Sequence, residues 1–171
     1  ISGKGKILEV GCGEGLFLNA LLNKYNHLDI TGVDNWDDAL EKARIKLKNT
    51  GINILKADGC KLPFPDDTFD SVLSLNVLYN LRDLTAVKEM INEMKRVCKK
   101  EGVIIFDIRN KLNPMINIQY KLAKYIDPEI KVPLRAYNIN EIDKIVNVRK
   151  IHYIGFPKNK FAPVFVIEAG K

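Results

Sequence analysis

The chain of 171 residues predicts an α/β fold: an open sheet of seven strands, mostly parallel with an antiparallel C-terminal hairpin, and helices on both faces. Three observations predict it. Short runs of branched apolar residues alternate with segments whose apolar residues recur every three or four positions, the order that builds parallel strands joined by crossover helices. The first strand-to-helix turn is GCGEG, residues 11 to 15, with a glycine at every second position. The C-terminal part ends in two apolar runs joined by a Lys-rich turn, which reads as a hairpin added to the sheet edge.

KILEV (6 to 10) opens the pattern as a buried strand ending at Gly11. The period then changes, and Phe17, Leu18, Leu21, Leu22 and Tyr25 predict a helix with one buried face. DITGVD (29 to 34) is the second strand and DDALEKARIKLKN (37 to 49) the second helix, with Leu40, Ala43 and Leu47 inward and acids at its positive end. NILKAD (53 to 58) and FDSVLSLN (69 to 76) are strands on either side of the proline-marked loop LPFPDDT. A helix over roughly 84 to 99 carries Val87, Met90, Ile91, Met94 and Val97 on one side, and Lys99, Lys100 and Gly102 look like its end. GVIIFDIR (102 to 109) is the fifth strand. Beyond it come a helix from Pro114 to about Ile126, a linker over 127 to 136, a short helix over 138 to 146, and the strands KIHYIGF and PVFVIEA.

A hydrophobic fraction of 46% and a charged fraction of 28% suit one domain with a core rather than two. The chain opens on Ile1 and runs almost at once into a strand, so it reads as a piece of a longer polypeptide. Cys12, Cys60 and Cys98 are odd in number and widely spaced, which fits neither a disulfide framework nor paired zinc ligands. No metal site is expected. No apolar run approaches the ~18 residues of a membrane span and no leader pattern opens the chain, so a reduced, cytoplasmic setting is expected. The net charge of +6 is uneven: residues 1 to 100 carry 15 Lys and Arg against 14 Asp and Glu, and residues 101 to 171 carry 12 against 7. With no Lys/Arg run longer than two, a nucleic-acid partner is disfavoured.

The glycine turn carries the chemistry. Glycines there let a ligand approach the main chain without meeting a β-carbon. Dinucleotide-binding turns space them G-x-G-x-x-G to seat a pyrophosphate on the helix N-terminus. Here Glu14 stands inside the turn, where it would repel a pyrophosphate, and Glu9 at the strand end faces the same crevice. Two carboxylates argue for a ligand presenting cations or hydrogen-bond donors.

On Glu9, Gly11, Gly13 and Gly15 the sequence resembles the class I, Rossmann-like S-adenosylmethionine-dependent methyltransferases, whose first motif is E/D-x-G-x-G-x-G. The methionine part of that cofactor carries an ammonium and a sulfonium and no phosphate. The resemblance implies further cofactor contacts. Asp34, ending the second strand, matches the acid that takes the ribose hydroxyls, and Asn35 and Trp36 follow where an apolar residue usually packs on adenine. Asp58 matches the acid that accepts from the adenine amine, with the Gly59 amide beside it; Cys12 lies in the turn and Asn76 beside the methionyl part. Asp70 reads as structural. These matches cover residues 6 to 109, in the expected order, and place the chain in the small-molecule branch.

The implied organisation is one methyltransferase domain: a cofactor-binding core over 1 to 109, a substrate or lid insertion over 110 to 137, and a C-terminal helix and hairpin over 138 to 171. Asn80 stands where many relatives carry a histidine able to act as base, and an amide cannot take a proton at neutral pH, so no catalytic residue is assigned. SLNVLYN lacks the prolines of the amine-methylating nucleic-acid enzymes, and no cysteine follows a proline as in the ring-carbon cytosine enzymes. Tyr79, Asn80, Arg109 and Tyr120 are the acceptor-side candidates, with Arg109 placed to hold an acidic group. Met115, Ile118, Leu122 and Ile126 form an apolar stripe: a packed helix face, a lid, or a weak membrane-surface contact. His27 and His152 read as structural or surface residues. The expected activity is methyl transfer from S-adenosylmethionine, leaving S-adenosylhomocysteine, to a small acceptor such as an anionic metabolite, sugar or lipid precursor. A noncatalytic cofactor-binding module, a methyltransferase acting on RNA or protein, and a nicotinamide dehydrogenase are the alternatives.

Overall fold

The computed structural model describes residues 5–25, 27–126 and 134–171. The first five strands are Gly5–Val10 (β1), Leu28–Asp34 (β2), Asn53–Lys56 (β3), Phe69–Ser74 (β4) and Cys98–Arg109 (β5). Asn147–Ile154 (β6) and Val164–Gly170 (β7) complete a seven-stranded sheet of order β3-β2-β1-β4-β5-β7-β6. β1 to β5 are parallel; β7 runs antiparallel to both β5 and β6. The expected sheet and hairpin are present. The return strand β7 lies inside the sheet and β6 takes the edge, leaving His152 exposed on an edge strand.

The helices are Leu16–Lys24 (α1), Asp37–Lys46 (α2), Leu84–Val97 (α3), Pro114–Ile126 (α4) and Ile139–Asp143 (α5). Neighbouring residues of one strand point to opposite faces and so enter different cores. Ile7 and Leu73 pack with Leu18, Leu21, Leu40 and Leu47 of the α1 and α2 layer. Leu8 and Val72 pack with Val87, Met90, Ile91 and Met94 of α3 and with Ile142 of α5. All five expected core residues of α3 are buried, and Asp83 caps that helix by accepting from the Ala86 amide.

Two local readings are corrected. α3 ends at Val97 and β5 begins at Cys98, so Lys99 to Gly102 lie within the strand rather than at a helix stop. The register against β4 jumps there, from Phe69↔Cys98 to Ser71↔Val103, which makes the segment a bulge. On α4 the buried apolar residues are Ile116 and Ala123, while Met115, Ile118 and Leu122 face solvent. The expected stripe therefore points outward; the Ile126 side chain lies outside the described residues, as does most of the expected 127 to 136 linker. Among the described residues no helix is long and apolar enough to cross a membrane.

Candidate active site

β1 and β4 are adjacent, and the helices that follow them, α1 and α3, pack on opposite faces of the sheet, so a crevice opens beyond their carboxyl ends. A cavity of about 570 Å³ fills it. Its walls take Glu9, Gly11, Cys12 and Gly13 from the first turn, Asp34 and Asn35 from the second, Asp58 and Gly59 from the third, and Asn76 and Asn80 after β4. The loops that follow four successive parallel strands thus converge on one space.

The glycines of the turn do different jobs. Gly13, at φ +51°, has open space where a β-carbon would stand, so the cavity reaches its main chain. Gly11, at φ +79°, instead packs against Val77, and a β-carbon there would collide with that side chain. Gly15 lies against Ala43 of α2 and Leu47 just past its end, and does not line the cavity.

Asp34 holds the turn in place: one carboxylate oxygen accepts from the Gly13 amide at 2.8 Å and the other from the Trp36 amide at 3.0 Å. Each oxygen has capacity for a further hydrogen bond, and Asp34 lines the cavity. Asp58 accepts from the Cys60 amide at 2.9 Å, leaving its second oxygen without such a bond. Trp36 is 66% exposed on the cavity wall. Glu14 departs from the expectation of a repelling charge within the turn: it pairs with Lys42 at 2.8 Å, and this hydrogen bond holds its carboxyl below the usual range. The pairing leaves Glu9, Asp34 and Asp58 as the carboxyls that face the cavity.

Glu9 is the most unusual of the three. It is 3% exposed, and among the described residues its Oε2 has no hydrogen-bond partner. Burial first, and the Asp34 charge second, push its pKa up to about 8. A buried orphan acceptor of this kind awaits a donor. Cys12 contributes no nucleophile, because burial raises its thiol to about 12.

A second group joins the cavity through Asn76, whose φ of +61° is unusual for a residue with a side chain. Its amide donates to Asp107, and its side-chain oxygen accepts from Arg109 at 2.7 Å. Asp107, buried at 3% exposure, also pairs with Arg109. The Arg109 guanidinium lies 4.6 Å from the Tyr79 ring centre, and the Tyr79 and Tyr120 rings are 6.5 Å apart. Tyr79, Arg109 and Tyr120 thus form a wall continuous with Asn76, while Asn80 lines the cavity directly. Arg109 is already engaged by Asp107 and Asn76, so its part in this wall is to order it.

Asp107 was missed in the sequence. Its signal was a carboxylate inside the apolar run GVIIFDIR, where burial demands a partner. Elsewhere, Asp70 accepts from the Lys6 amide and from Lys99, a structural tie as expected.

The family model described as "Methyltransferase domain" matches residues 8–106. The chain belongs to the methyltransferase domain family. Over 128 residues this methyltransferase domain is 32% identical to phosphatidylethanolamine N-methyltransferase of Cereibacter sphaeroides, covering 71% of the chain and 60% of that relative. It is 31% identical over 100 residues to demethylmenaquinone methyltransferase of Thermotoga maritima, covering 58% and 42%. The chain thus spans about two fifths to three fifths of the curated relatives it matches. A solved structure of a SAM-dependent methyltransferase from Methanosarcina mazei superposes with a TM-score of 0.79 at 20% identity, covering 100% of this chain and 94% of that one, a likeness of fold. S-adenosylmethionine is the cofactor of the methyltransferase domain. The cavity fits it: an unpartnered buried carboxyl meets a ligand carrying an ammonium and a sulfonium, and the open main chain at Gly13 admits close approach.

Proposed function

We propose that this domain transfers a methyl group from S-adenosylmethionine to a small acceptor with an apolar or planar body. The observation that carries the cofactor half is the unpartnered, buried Glu9 carboxyl at the head of the glycine turn. In this reading Glu9 and the Gly11 to Gly13 main chain serve the amino-acid end, Asp34 the ribose, and Asp58 with the Gly59 amide the adenine, with Trp36 beside the base. Cys12 and Asn35 complete the wall. The bound cofactor supplies an electrophilic methyl carbon on a positive sulfur, so the protein's own part is alignment.

The acceptor half rests on the Tyr79 and Tyr120 rings with Arg109 between cavity and wall. Burial raises the Tyr120 phenol to about 12, so it donates a hydrogen bond at neutral pH and does not act as a base. Asn80 takes no proton. Positioning then has to carry the rate, which suits an acceptor atom that is already a good nucleophile at working pH. The relatives, a phosphatidylethanolamine N-methyltransferase and a demethylmenaquinone methyltransferase, support acceptors with large apolar bodies.

Calorimetric titration with S-adenosylmethionine, S-adenosylhomocysteine and NAD tests the cofactor half, on the unaltered chain and on Asp34→Ala. Binding of the first two alone, lost in the variant, is the expected result. Binding of NAD in their place would sink the reading. A screen of quinol, acyl and aminophospholipid acceptors with methyl-labelled cofactor tests the acceptor half, and turnover of only polar sugars would overturn it.

A further inference from the structure

The outward face of α4 contributes no residue to the lining of the cavity. Met115 is 75% exposed, Ile118 58%, Leu122 47% and Tyr125 85%, and their spacing of three, four and three residues places all four on one side of the helix. On the opposite side, Ile116 and Ala123 are buried and Tyr120 meets Tyr79. A helix that turns its more apolar side to solvent carries an unpaired face.

The turn between β6 and β7 is tied to the start of this helix and carries exposed aromatic rings of its own. Phe156 is 89% exposed and Phe161 43%. Two buried asparagines fix the turn to the start of α4: Asn113 donates to the Phe161 carbonyl at 2.8 Å, and Asn110 to the carbonyls of Lys160 and Ala162. These bonds join the turn to the start of the helix.

The charged side chains of the two segments themselves are of one sign. Residues 108 to 126 and 144 to 167 contain no Asp or Glu. They hold Lys111 and Lys121 beside the helix stripe and Lys158 and Lys160 beside the two phenylalanines, all four exposed. Apolar side chains ringed by cations match one kind of environment, an interface with anionic groups at its surface and hydrocarbon beneath. A soluble anionic partner would not require six apolar and aromatic side chains in water, and a second copy of this face would bring like charges together.

We infer that α4 and the β6 to β7 turn dock the domain onto an anionic lipid surface. The inference goes beyond the methyl-transfer reading and uses none of the cavity residues. Docking through the outward side of α4 leaves its inward side, with Tyr120, over the acceptor wall.

Co-sedimentation with vesicles tests it, comparing phosphatidylglycerol mixed with phosphatidylcholine against phosphatidylcholine alone, at low and high salt. The domain should partition onto the anionic vesicles and leave them as salt rises. Ile118→Ser with Leu122→Ser, and separately Lys158→Glu with Lys160→Glu, should each weaken partition by about tenfold or more. These residues are exposed, so circular dichroism should show an unchanged fold, and titration with S-adenosylmethionine should be unaffected. That titration separates failure of the docking from failure of the cofactor reading. No partition by the folded domain, or partition indifferent to both double variants, would overturn the inference. So would a dimer in solution that the Ile118 and Leu122 variant dissolves.

Discussion

Glu9 stands at the next-to-last position of a central strand, with apolar Leu8 and Val10 on either side, and is shut from water in a site whose lining, among the described residues, holds no Lys or Arg. Its folded pKa of about 8 lies above its ordinary value of 4.5, so the fold favours the neutral carboxyl. The folded state then holds one more proton than the unfolded chain between those two values, and stability falls as pH rises through that window. The ceiling on this loss is on the order of 5 kcal/mol. Glu9→Gln should flatten the decline, giving a melting temperature above the parent's at pH 8 to 9 while weakening cofactor binding; a parallel pH profile in the variant would refute the assignment. Binding a cationic ligand beside Glu9 should also expel the proton near pH 7, so the titration enthalpy should vary with the ionisation enthalpy of the buffer. At Gly11 and Gly13 the same substitution separates two roles. Gly13→Ala meets only the strain of positive φ, about 1 kcal/mol, but fills the approach to the cavity and should abolish cofactor binding in a folded protein. Gly11→Ala adds a collision with Val77 and should cost about 3 kcal/mol or more in denaturant unfolding. The spacing E-x-G-x-G-x-G was legible in the sequence. Which glycine faces ligand and which faces packing was not, because Val77 and Leu47 reach the turn from distant segments.

Among the elements, the stretch after β4 shows how a wall is held. Asn76 keeps a left-handed backbone because its amide and side chain are both claimed from β5, by Asp107 and Arg109. Arg109→Leu leaves Asp107 buried and without its cation, and should cost about 3 kcal/mol. It should also raise the KM for the acceptor more than the Kd for S-adenosylmethionine, because Tyr79 loses the guanidinium it rests against; an equal change in both would show that the pair serves only the fold. Periodicity could name α4 as a helix but not orient it. The inward side of that helix is the less apolar one, packed through Ile116, Ala123 and Tyr120 beside the buried Asn110 and Asn113, so hydrophobic pattern alone points the wrong way. The KKEG run misleads in the same manner: cations and a glycine are helix-stop residues, yet here they form the bulge by which β5 shifts register against β4.

At the scale of the molecule, strand alternation made the parallel order legible, since a crossover helix leaves each next strand little choice of direction. The placing of β7 between β5 and β6 was not legible, because both hairpin strands carry enough apolar residues to sit inside and only pairing with β5 selects one. The resulting order puts β1 and β4 in mid-sheet, under two cores, and places the cavity over their carboxyl ends. Rigidity and ligand contact are therefore stacked end to end, with α4 and β6 at the periphery. Hydrogen exchange followed by mass spectrometry should find β1, β4 and α3 slowest, and α4 and β6 fastest among the regular elements. Adding S-adenosylhomocysteine should slow exchange in the turns after β1, β2 and β3 and around Asn76, while leaving β6 unchanged. Protection that appeared first in α4 or the β6 to β7 turn would instead mean that the cofactor closes the acceptor side, and the outward face of α4 would then belong to a moving lid rather than to a fixed docking surface.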